Sequence, residues 1–205
     1  MRRRELAGIL LFAAIIQFAF AANIGQILYE GFSIEETLLS DLGVREQPSA
    51  LLFNTSLVIF GILGMSIGVV LWPDKKLNFI PPLFVLCGIG MTIMAAFPIT
   101  NEWAHDVGAF LSFVLTAVAA LCGYWTFPGP FRRLSLVLGI IGFVTGILHK
   151  PEIHFGLGAA GSERMIIYPP FLWMTAFAAV LFHSDENAPK DSLLDRFFAW
   201  TAGRF

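Results

Sequence analysis

Six stretches of the chain are almost uninterrupted apolar sequence: residues 6–29, 49–72, 79–98, 106–127, 134–149 and 165–183. A helix that crosses the hydrocarbon of a bilayer needs about 20 such residues. Inside lipid it is also the form that satisfies its backbone polar groups from within. The pattern therefore predicts an all-α integral membrane bundle of six transmembrane helices. The fifth run is the shortest and is expected to extend a residue or two at each end. After His183 the sequence turns polar, and then Leu193, Leu194, Phe197, Phe198 and Trp200 recur at roughly helical spacing beside Asp195, Arg196 and Arg204. This predicts a short amphipathic helix on the inner membrane surface, with a frayed tail as the alternative. Residues 1–183 are thus expected to form the transmembrane domain and 184–205 a cytoplasmic tail.

Composition agrees. Hydrophobic residues make up 57% of the chain and charged ones 14%, with a mean hydropathy of +0.74. Soluble domains carry about 25% charged residues, so the excess apolar surface has to face lipid. No basic block with interleaved aromatics is present, which argues against a nucleic-acid partner. Cys87 and Cys122 sit inside apolar runs and read as small fillers.

Charge then sets the orientation. With six helices, Arg2, Arg3, Arg4, Lys75, Lys76, Arg132, Arg133, Lys190, Arg196 and Arg204 fall on one side, and Arg45, Lys150 and Arg164 on the other. This positive-inside bias predicts a multi-pass protein of the cell membrane with both termini cytoplasmic. Met1-Arg2-Arg3-Arg4 and Ala19-Phe20-Ala21 imitate a signal peptide and its cleavage site. The long apolar stretch, with Gln17 and Asn23 inside it, favours a retained helix.

Two small-residue runs resemble each other, Gly61-Ile62-Leu63-Gly64 through Gly68 and Gly139-Ile140-Ile141-Gly142 through Gly146. Pro81-Pro82 and Pro169-Pro170 are each expected in the first turns of a helix. Together they are compatible with a three-plus-three inverted repeat, as in transporters. Close helix approach explains the glycines more simply.

Most acidic groups, and all histidines except His183, fall on the outer side. Ser40 and Asp41 precede the second run, where a capping or loop-ordering role is as natural as chemistry. Asn54 lies inside that run and needs a partner, because an unpaired amide in hydrocarbon is costly; Asp41 or another helix can supply it. Asn101 or Asp106 is placed to cap the fourth helix, Trp103 suits the aromatic belt, and His105 stands at the level of Asp41. Gly161-Ser162-Glu163-Arg164, followed by Tyr168, leads into the sixth run. There Glu163 and Arg164 either pair with each other or separately meet Asp41 and an anion. Arginine favours bidentate carboxylate or phosphate contacts, and a lipid headgroup is the natural phosphate at this depth. His105, His149 and His154, with nearby carboxylates, are candidate zinc ligands, although Pro151 interrupts helical pairing of the last two.

Ser40-Asp41-Leu42-Gly43, Leu52-Phe53-Asn54, Phe97-Pro98, His105, and Gly161 to Arg164 before Trp173 resemble the prokaryotic membrane family of the domain of unknown function 998, over about residues 6–183. The resemblance implies six helices and one shared outer site holding Asp41, Asn54, His105, Glu163 and Arg164. It implies no activity. Ser-Asp-x-Gly followed by proline and phenylalanine is also similar to the first luminal loop of the damage-regulated autophagy modulators, six-helix proteins associated with lipid handling. That family shows two prolines where this chain has Pro48 alone. A fainter similarity reaches the alkaline ceramidase and adiponectin-receptor hydrolases, whose last-helix HxxxH is missing here.

The expected site is therefore an outward-facing polar pocket made by the ends of helices two, four and six and the loop at 30–48. Its first reading is the binding or handling of a lipid or other amphiphile at the outer leaflet. Arg164 would meet the headgroup, with Ser40, Asn54, Asn101, Glu163 and Tyr168 around it. Asp41 and His105 are the candidate catalytic groups, as an acid–base pair. The alternatives are a zinc-dependent or acid–base hydrolase or transferase of lipids, using His105, His149, His154 and Asp41, and a small-molecule transporter. Membrane lipids are the expected partners, and a homo-oligomer is as compatible with the sequence as a monomer.

Overall fold

A computed structural model describes residues 2–148 and 156–183. Its main elements are helices α1 (Arg3–Leu28), α2 (Ala50–Leu71), α3 (Ile80–Ala96), α4 (Glu102–Thr126), α5 (Gly129–Leu148) and α6 (Gly158–His183). Five of them are long and apolar enough to cross a membrane, while α3 is apolar but has only 17 residues. Among the described residues there is no strand. The expected amphipathic helix after His183, and with it the tail 184–205, lies outside the described residues.

Helix ends depart from the apolar runs for local reasons. α3 stops at Ala96 because Phe97 precedes Pro98 and takes an extended ψ of 86°, as the proline ring demands of its predecessor. α5 starts at Gly129, earlier than expected, with Pro130 in its first turn, where a missing N–H does no harm. α6 begins at Gly158 rather than near residue 165. Ser162, Glu163 and Arg164 therefore belong to the helix instead of leading into it. Pro169 and Pro170, expected in its first turns, lie in its interior.

That proline pair has a consequence for packing. Proline has no N–H, so the carbonyls of Met165 and Ile166 lose their partners one turn on. Thr145 of α5 supplies one, donating its hydroxyl to the Met165 carbonyl at 2.9 Å. Further along the same interface, Trp173 Nε1 donates to Ser135 Oγ at 2.9 Å.

Successive helices pack against one another, and α6 returns to α1, so the bundle closes as a ring. Phe18, Phe53, Phe60, Met91, Trp173 and Phe177 fill its interior. α2 and α3 meet on glycine: a Cβ at Gly61 would stand 2.7 Å from the Gly88 carbonyl oxygen, and one at Gly68 2.6 Å from that of Pro81. Gly139 and Gly142 similarly face Leu121, Ala117 and Pro170. Both glycine runs are thus helix-contact faces. At one end of the ring, Arg4 pairs with Asp74 of the α2–α3 connection at 2.6 Å. The segment joining α1 to α2 closes the other end.

Candidate functional site

Residues 29–49 do not stand clear of the bundle. Leu39 and Leu42 are buried in the same core as Phe18 and Phe53, and Leu42 Cδ1 comes to 3.3 Å from where a Cβ on Gly25 would be. Leu39 leads into one short 3-10 turn, Ser40–Gly43, which contains Leu42. Irregular backbone at this depth is tolerated only where protein groups satisfy it. Here side chains from three directions do so.

Within the segment, Asp41 Oδ2 accepts from Leu38 N at 2.9 Å, and Thr37 Oγ1 from Ser33 N at 3.0 Å. From the start of α2, Asn54 Nδ2 donates to the Gly43 carbonyl at 2.8 Å, and Ser49 Oγ to that of Leu42 at 2.9 Å. From α6, the Glu163 carboxylate accepts from Leu39 N through Oε2 and from Ser40 N through Oε1, the latter at 3.1 Å. Arg164 donates to the Thr37 carbonyl from both terminal nitrogens at 3.4 Å, and from Nη1 to Ala160 O of its own helix at 2.8 Å. Glu163 is 9% exposed and Arg164 8%. They do not pair with each other, as one sequence alternative had it. Each grips main-chain groups of the same four residues.

The Asn54 carboxamide also sets the size of residue 43. A Cβ there would stand 2.6 Å from Asn54 Oδ1, so only glycine lets the turn lie on α2. Asn54 Oδ1 is buried with no hydrogen-bond partner among the described residues. The Ser40 hydroxyl lies beside the Glu163 carboxylate, which is its partner.

Ser40, Asp41, Asn54, Glu163 and Arg164 thus share one cluster. The expected Asp41–His105 pair is not formed: Asp41 turns to Leu38 N, while His105 Nδ1 sits 3.1 Å from the Phe97 carbonyl and ties α4 to the α3–α4 corner. Asp41 does not fold back onto Asn54 either, because the Gly43 carbonyl takes the amide. Asn101 holds the N-cap position of α4 without a side-chain cap bond. Tyr168 lies further along α6 and is 51% exposed. Among the described residues no three His, Cys, Asp or Glu side chains gather closely enough to hold a metal. His149 and His154, the other expected zinc ligands, lie outside the described residues.

Thr37 and Ser49 were not anticipated. The signal for them is Leu38, Leu39 and Leu42 inside an otherwise polar connection. Three leucines there announce a segment that packs inward, and its backbone then needs nearby hydroxyls.

The chain belongs to the family described as protein of unknown function DUF998, whose profile matches residues 12–180. The match takes in both halves of the cluster, from Thr37 to Asn54 and at Glu163 and Arg164. No curated protein and no solved structure matches the chain.

Proposed function

We propose, from a family membership that carries no assigned activity, that this protein is a six-span protein of the cell membrane that binds the polar headgroup of a lipid or other amphiphile at the outer leaflet, with Arg164 as the headgroup cation. The observation that supports this reading is the pairing of Arg164. Its guanidinium is buried, yet among the described residues it bonds to two neutral carbonyls and no carboxylate. The Thr37 bonds, at 3.4 Å, lie beyond the usual N–H···O range of about 2.7–3.2 Å. A phosphate adds an opposite charge and a bidentate acceptor geometry that a neutral carbonyl does not offer a guanidinium. An anionic headgroup is therefore a better partner than the one in place, and the segment 30–48 is the cover over it.

Purified protein is expected to retain phospholipid through detergent exchange, and Arg164→Gln to lower that retention about tenfold, as the loss of one charge-assisted contact predicts. Native mass spectrometry of both proteins measures it. Unchanged retention by a folded Arg164→Gln protein would overturn the assignment.

Six spans follow if α3 crosses as well. Its 17 residues reach about 26 Å at 1.5 Å per residue, which neighbouring helices and a slightly thinned bilayer accommodate. Arg2, Arg3, Arg4, Lys75 and Lys76 cluster at the Asp74 end, which the positive-inside rule puts in the cytoplasm. A cysteine at Glu36 is then expected to react with a membrane-impermeant maleimide on intact cells, and one at Lys75 only after lysis. The reverse pattern would turn the molecule over.

A further inference from the structure

We infer that the backbone of residues 37–40 sits where the ligand binds, and that the ligand is a zwitterion with N–H donors close to an anionic oxygen. This rests on the headgroup reading above and narrows it to a chemical class. The two side chains hold a complementary set of groups. The carboxylate of Glu163 takes two N–H donors, from Leu39 and Ser40, and the guanidinium of Arg164 takes one oxygen, from Thr37. All three come from four consecutive residues, and a chain advances at most about 3.6 Å per residue. Whatever displaces the segment has to present the same donors and acceptor at the same short separation.

Charge narrows the choice further. Asp41 leaves with the segment; Glu163 and Arg164, which stay on α6, together are neutral, and a buried net charge is costly. A zwitterion leaves the sum at zero, whereas a purely anionic or cationic head does not. A primary ammonium joined to a phosphate, as in a phosphoethanolamine headgroup, meets every condition, and so does an ammonium joined to a carboxylate in a free amino acid. Phosphocholine lacks the N–H donors, and phosphoglycerol lacks the cation.

The docked segment is also an imperfect occupant. Its Thr37 bonds are long, and it leaves Asn54 Oδ1 buried without a partner among the described residues, a rarity that calls for a reason. When the segment leaves, Asn54 stays on α2 with that acceptor oxygen still to be met.

The test uses the full chain in detergent and in proteoliposomes. Wild-type protein is offered phosphatidylethanolamine, phosphatidylcholine and phosphatidylglycerol with identical acyl chains, and bound lipid is counted by native mass spectrometry. Phosphatidylethanolamine is expected to win by about tenfold over each of the others, the value of one charge-assisted donor set. It is also expected to speed tryptic cleavage at Arg45, which lies in the displaced segment. Glu163→Gln, which keeps the shape and removes the charge, is expected to erase the preference. Should that variant not fold, the wild-type headgroup comparison and the Arg45 cleavage still decide. Equal binding of all three lipids, lost in Arg164→Gln, would overturn the zwitterion inference and leave the headgroup site standing. Binding of none would overturn both. Competition by soluble phosphoethanolamine or glycine would support the inference while moving the ligand from the bilayer to the outer solution.

Discussion

Glu163→Ala is expected to free the segment between α1 and α2 from the bundle. Among the described residues the carboxylate is the only group given to the amides of Leu39 and Ser40, and it lies on a different element more than 120 residues along the chain. Each buried N–H left without an acceptor costs about 1–3 kcal/mol, so the pair is worth on the order of 4 kcal/mol. A loss of that size raises the undocked population about a thousandfold. Because opening is local, the amides of residues 37–43 are expected to exchange faster while α2 and α3 remain protected. Trypsin, added from the outside to proteoliposomes, is expected to cut at Arg45 far sooner than in the wild type. Glu163→Gln keeps one acceptor oxygen and is expected to fall between the two. If exchange and cleavage at the segment are the same in Glu163→Ala as in the wild type, the carboxylate does not hold it.

The second large effect is expected at Trp173, ten residues further along the same helix. Its ring is fully buried, lies nearly parallel to Phe177 with centroids 5.0 Å apart, and donates from Nε1 to Ser135. Phe131 and Phe84 pack at 6.2 Å and 6.3 Å. In lipid the transfer of apolar surface from water contributes little to helix association, so packing and interhelical hydrogen bonds carry it. Trp173→Ala removes both, leaves a cavity among rigid aromatic rings, and is expected to cost on the order of 3 kcal/mol. Trp173→Phe keeps most of the ring contact and orphans only the Ser135 hydroxyl, so about 1 kcal/mol is expected. Unfolding midpoints in mixed detergent measure the two. Equal midpoints for Trp173→Ala and the wild type would mean that the α5–α6 contact is not held at this position.

The helices were legible because lipid imposes one demand on every residue of a span, and that demand is written in the apolar runs. Their ends were less legible where polar residues continue the helix. Glu163 and Arg164 read as part of a connection, since nothing in the one-dimensional pattern shows that a turn made of distant residues covers them. The same limit applies to the cluster. Ser40, Asp41, Asn54, Glu163 and Arg164 were read together, but as side chains that would meet one another. In the structure they meet main-chain groups, whose positions exist only once the Ser40–Gly43 turn has formed. His105 illustrates a related case: the Phe97 carbonyl, at the corner where proline ends α3, takes its Nδ1, and Asp41 turns to its own segment.

The reliance of the α1–α2 segment on α6 also has a consequence in time. The two ends of the clamp are 124 residues apart, and ribosomes add roughly 5–20 residues per second. The backbone of residues 37–40 therefore waits about 6–25 s during synthesis before Glu163 and Arg164 exist to receive it. Through that interval α1 and α2 can already be inserted, while the turn between them has only its own bonds and those from the start of α2 to hold it. A helix made late completes the first connection, and this end of the bundle closes only when the whole ring does.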